Sequence, residues 1–74
     1  MTTLDKVRRG KKVEICKIAD ERVRAQAIRF GLCEGSVVTC GEKLPAGPVV
    51  VYAGWQELAI GRSIACKITV KEAS

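Results

Sequence analysis

Apolar and polar residues alternate at the start of Lys12-Val13-Glu14-Ile15-Cys16-Lys17-Ile18, the period of a strand with one covered face. Gly10 supplies a turn ahead of it. The period then changes. Over residues 21–30, Val23, Ala27 and Phe30 recur at i, i+4 and i+7, Ile28 widens that face, and no Gly or Pro interrupts. This predicts a short helix with Phe30 in the core. Asp20 is placed to cap it, and with Glu21 it sets two carboxylates at the positive end of the helix dipole. Arg24 falls inside the widened apolar arc, where only its aliphatic stem is at home and the guanidinium must snorkel.

Gly31 follows the last periodic residue and is expected to stop the helix in the left-handed conformation, with Leu32 as the apolar latch of a Schellman-type cap. Gly35 allows a second tight turn, and another strand is expected to begin over 36–40. Leu44-Pro45-Ala46-Gly47-Pro48 reads as a turn by composition. Strands follow at 49–52 and 57–60, joined by a hairpin tip at Ala53-Gly54-Trp55. Gly61-Arg62-Ser63 breaks the run, and a last strand spans 66–71 with Cys66, Ile68 and Val70 inward and Lys67, Thr69 and Lys71 outward. Five short strands that each need a covered face favour a sheet curled on itself. The expected fold is mainly β: a small, partly open barrel of about five strands, with one short inserted α-helix over one end. One domain spans residues 1–74, with frayed ends at 1–3 and 72–74.

At 74 residues the chain has little core to spare for a deep cleft, since a domain of this size buries only about 60% of its unfolded surface. No apolar run approaches the roughly 18 residues that span a bilayer. The opening MTTLDKVRRGKK has no apolar signal segment, so a cytoplasmic location is expected. The net charge of +5 is concentrated at Lys6, Arg8, Arg9, Lys11 and Lys12. Such a cluster is either a solvated face or a contact for phosphate, anionic headgroups or an acidic protein surface.

Catalytic chemistry finds little support. Gly31-x-x-x-Gly35 leads from a helix into a strand, the wrong direction for a phosphate loop, and no G-K-[ST] follows. Cys33, on a turn, is the thiol most expected to be exposed, but the chain has no histidine to serve as its base. The carboxylates are scattered, apart from Asp20-Glu21, which capping explains. Cys16, Cys33, Cys40 and Cys66 lie 17, 7 and 26 residues apart, with no C-x-x-C pair to preorganise a metal. Cysteines of this kind read as small buried hydrophobes. A thiolate site assembled from Cys16, Cys33, Cys40 and Cys66 is the metal-sensing alternative, suited to zinc, copper(I) or an iron–sulfur cluster. A nucleic-acid-binding barrel is a lesser alternative. Its surface would stack bases on aromatics interleaved with basic residues, and here Tyr52 and Trp55 are not so interleaved.

The order of these features resembles the ferrous-iron transport protein A family, FeoA, from residue 4 to residue 70. Leu4 and Gly10 match an opening leucine and a later glycine. Ile28-x-Phe30-Gly31-Leu32-x-x-Gly35 is similar to the family's L-x-x-G-[apolar]-x-x-G joint, with Phe30 in a usually aliphatic place. Gly47-Pro48-Val49 matches the glycine-proline before its central hairpin, and residues 58–70, with Ala65 in the closing alanine position, match its final segment. The resemblance implies an SH3-like β-barrel without an active site or cofactor of its own. It further implies a cytosolic accessory to the ferrous-iron permease FeoB, a membrane protein with a G-protein-like domain, so that the chain is peripheral to the membrane only through that partner. A similar domain closes iron-dependent repressors of the DtxR class, but this sequence has no DNA-binding helix pair. Arg24, Tyr52 and Trp55 are the expected partner-binding residues, and Trp55 must either pack back over the barrel end or meet a partner.

Overall fold

The alternation at Lys12–Ile18 folds as a central strand in the computed structural model, which describes residues 1–45 and 47–73. The predicted turn at 44–48 includes Ala46, which with Ser74 lies outside the described residues. The strands in chain order are β1 (Thr2–Thr3), β2 (Lys12–Ile18), β3 (Val37–Lys43), β4 (Val49–Ala53), β5 (Gln56–Ile60) and β6 (Ile68–Glu72). Helix α1 covers Glu21–Arg29, α2 covers Arg62–Ala65, and a 3-10 turn covers Leu4–Lys6. The strands form one antiparallel sheet in the order β1-β6-β2-β3-β4-β5. Its extents of 27 × 27 × 24 Å are those of a curled sheet rather than a flat one. The end strands β1 and β5 do not pair, so the barrel stays partly open.

The inner face buries Val13, Ile15, Ile18, Val38, Cys40, Val49, Val51, Ile60, Ile68 and Val70, and no polar or charged residue is buried among the described residues. A bulge makes this possible in β2. Ile15 pairs with Val70 and Lys17 with Thr69, leaving Cys16 as the extra residue. The phase of alternation shifts there, so Ile18 points inward as well as Ile15.

Helix α1 begins as expected. The Asp20 carboxylate accepts from the N–H groups of Arg22 at 2.9 Å and Val23 at 3.1 Å. It ends on a Schellman cap: Leu32 N–H donates to Ala27 O at 2.8 Å and Gly31 N–H to Ile28 O at 3.0 Å, with Gly31 at φ +82. Leu32 is 1% exposed and is the latch.

Several expectations are corrected. Phe30 is exposed, as is Ile28. The nine-residue helix buries only Val23 and Ala27, and the cap swings the chain so that Leu32 takes the core position predicted for Phe30. Cys66 is not an inward strand residue. It ends α2, a single turn begun at Gly61, and is exposed; β6 starts at Ile68. The chain ends are not frayed at 2–3 and 72, because Thr2 pairs with Val70, Thr3 with Thr69 and Val13 with Glu72. The count of strands is therefore six. Strand β3, expected to begin at 36–40, runs from Val37 to Lys43 through a register shift between Cys40 and Lys43.

Candidate functional site

Strands β4 and β5 run through five consecutive pairs to a two-residue tip, Gly54-Trp55. Gly54, at φ +65, makes the turn whose twist suits a hairpin. Trp55 is thereby carried on a well-paired scaffold, and its side chain lies wholly in solvent, at 102% exposure. It does not pack back over the barrel.

Tyr52 stands on the outer face of β4, between Thr39 on β3 and Glu57 on β5. Its ring lies against Gly41: a Cβ built there would come within 2.6 Å of Tyr52 Cε2. A glycine inside a strand signals such a close approach. The Glu57 carboxylate pushes the Tyr52 phenol pKa above its ordinary value, first by hydrogen bonding and then by charge, with smaller pushes from burial and Glu42. Arg9, Thr39, Gly41, Glu42, Val50, Tyr52 and Glu57 line an open hollow there. The ion pair of Arg9 with Glu42 there, at 4.0 Å, is well solvated and weak. Glu42 and Glu57 carry no local signal in the sequence, because only the register of three strands brings them beside Tyr52.

Arg24 lies elsewhere, at the joint of α1 and β2. Its guanidinium donates to Ile18 O from Nε at 3.2 Å and Nη2 at 2.9 Å. Glu34 accepts from Ile18 N–H at 3.2 Å and faces Arg24 at 3.5 Å. Two side chains thus clasp both polar groups of one peptide residue. This accounts for an arginine inside an apolar arc: the carbonyl at the end of β2 is what it reaches. Glu34 was not a candidate, since its partners are 16 and 10 residues away.

The four cysteines do not converge. Cys40 is buried in the core, with its thiol pKa pushed up chiefly by burial. Cys16 donates to Glu14 O at 3.7 Å, Cys66 to Ser63 O at 3.3 Å, and Cys33 faces the Ser36 hydroxyl at 3.4 Å. No group of three or more His, Cys, Asp or Glu placed to hold a metal ion is found among the described residues. The remaining motif residues are architectural. Gly35 donates to Ile15 O at 2.7 Å, Gly47 to Leu44 O at 2.9 Å, Pro48 leads into β4, and Ala65 is fully buried in α2. No helix among the described residues is long and apolar enough to cross a membrane.

The model of the FeoA domain matches residues 2–72. No curated protein matches the chain. Among solved structures, an iron uptake regulatory protein (FeoA) is 25% identical, with 97% of each chain covered and a TM-score of 0.88. The FeoA protein from Chlorobium tepidum is also 25% identical, over 99% of this chain and 71% of that one, with a TM-score of 0.84. The manganese regulator SloR is 16% identical over 97% of this chain and 34% of its own, with a TM-score of 0.87, a likeness of fold alone. The open six-stranded barrel is thus the SH3-like one the sequence led us to expect. Matched over almost its whole length, the chain belongs to the FeoA family.

Proposed function

We propose that this chain is a small, non-catalytic accessory protein of ferrous-iron uptake that acts in the cytoplasm by docking on the cytosolic part of a FeoB-type permease. The FeoA domain suggests the role in ferrous-iron transport, and one similar structure is described as an iron uptake regulatory protein. The observation that carries docking as the mode of action is Trp55, a large aromatic held fully in solvent at the tip of a regular hairpin. Tryptophan is the residue type most enriched at binding hot spots, and leaving it in water forgoes its large apolar contact. Tyr52, beside the same tip, extends that surface; Arg24, committed to Ile18, serves the fold first.

A pull-down and a titration against the cytosolic domain of the cognate permease test this reading. Saturable binding supports it, and no binding in any nucleotide state overturns it. Nothing in the arrangement of Cys16, Cys33, Cys40 and Cys66 favours the metal-sensing alternative. Tyr52 between Glu42 and Glu57 is likewise a poor platform for a phosphate-bearing strand.

A further inference from the structure

The outer edge of β5 is open. In a hairpin with a two-residue turn, the residues flanking the turn face each other through hydrogen bonds, and bonded pairs then alternate along the strands. With Ala53 opposite Gln56, Val51 opposite Leu58 and Val49 opposite Ile60, the peptide groups of Gln56, Leu58 and Ile60 point to β4. Those of Glu57 and Ala59 point the other way. Strand β5 is last in the sheet, and no other described backbone group takes up these N–H and C=O groups.

Proteins commonly blunt such an edge with lysine, proline or a bulge, or by shortening it. The opposite edge, β1, is only two residues long. Strand β5 has five residues, an unbroken register, and no lysine or proline. Trp55 stands fully exposed at its start.

We propose that the free edge of β5 is a docking rail, on which an extended segment of the partner protein adds as a further strand, with a basic residue opposite Glu57 and an apolar residue against Trp55. The charge argues for the basic residue. On a chain of net charge +5, this face carries Glu57 and Glu42 beside Tyr52; Arg9 stands at Glu42, at 4.0 Å, but no cation pairs with Glu57 among the described residues. The same argument disfavours a second copy of this chain. Its own β5, Gln56-Glu57-Leu58-Ala59-Ile60, has no cation to answer Glu57. Backbone hydrogen bonds would supply the hold and the alternate side chains the selectivity.

The inference rests on the docking reading above and names its mode. The test is amide hydrogen exchange of the full chain, alone and with the purified cytosolic domain of the cognate FeoB-type permease. Exchange at Glu57 and Ala59 is expected to slow by about tenfold or more on binding, as each free N–H gains a hydrogen bond that must open before it exchanges. Ala59→Pro removes an N–H that the fold does not use and is expected to weaken binding by about tenfold or more, whereas Ala59→Ser retains it. Glu57→Lys is expected to weaken binding as well. Binding with unchanged exchange at both amides overturns strand addition and leaves docking standing. Absence of binding overturns both. Slowed exchange that grows with the concentration of the chain alone assigns the edge to a second copy and overturns the partner proposed. Should Ala59→Pro fail to fold, the exchange of the wild-type chain decides.

Discussion

Gly31 carries a conformation rather than a contact. At φ +82 it sits where side-chain-bearing residues are strained, yet a Cβ there would meet nothing within 4 Å. The cost of a substitution is therefore backbone cost alone. Gly31→Val is expected to lower stability by about 1–2 kcal/mol or more in chemical denaturation, with Gly31→Asn recovering part of it, because asparagine tolerates the left-handed region. Asp20 makes a separate case. Its pKa is lowered, first by the Val23 N–H, then by Arg22 and Lys67, against an opposing effect of burial. A carboxyl held below its unfolded value stabilises the fold above about pH 3.8, and that contribution is lost as pH falls through the lower folded value. Asp20→Asn preserves an acceptor for the cap but cannot titrate. Acid unfolding curves of this variant should be flatter over that window, and an unchanged curve would remove Asp20 from the account.

Among the elements, the α1–β2 joint and the β4–β5 hairpin show how far the sequence could be read. The cap at Gly31-Leu32 was legible, because its chemistry lies within six residues, and so was the tip at Gly54-Trp55. Leu32→Ala should cost about 2–5 kcal/mol, as for other buried leucines. Phe30 misled, since helical periodicity says which face is apolar but not where the chain turns off it. The clasp of Arg24 and Glu34 on Ile18 was invisible, because its parts meet only after folding. Strand β1 carries no hydrophobic pattern, and α2 is one turn long, too short for a period to register. On the hairpin, Glu57 raises the phenol pKa of Tyr52, the only tyrosine. Glu57→Gln should therefore lower the phenol pKa toward its ordinary value in an ultraviolet titration. The raised pKa means that stability from the neutral phenol is present below about pH 10 and is lost as pH rises through the folded value.

Over the whole molecule, the basic cluster meets the aromatic surface only through Arg9, which lines the hollow beside Tyr52. Lys6, Arg8, Arg9, Lys11 and Lys12 are all exposed; Lys11 pairs with Glu72 at 3.0 Å and Arg9 only loosely with Glu42. The aromatic tip joins β4 and β5, its carboxylates Glu42 and Glu57 stand on β3 and β5, and the core behind them is wholly apolar among the described residues. Fold and docking surface are thus separable. Trp55→Ala should change stability by no more than about 0.5 kcal/mol, because the side chain touches little of its own fold. The most direct measurement is a calorimetric titration of the cytosolic domain of the cognate FeoB-type permease with the wild-type chain and with Trp55→Ala, each nucleotide state taken in turn. Our account predicts saturable wild-type binding that weakens by about tenfold or more in Trp55→Ala, with the thermal midpoint unchanged. No wild-type binding in any state, or equal binding by both proteins, would contradict it.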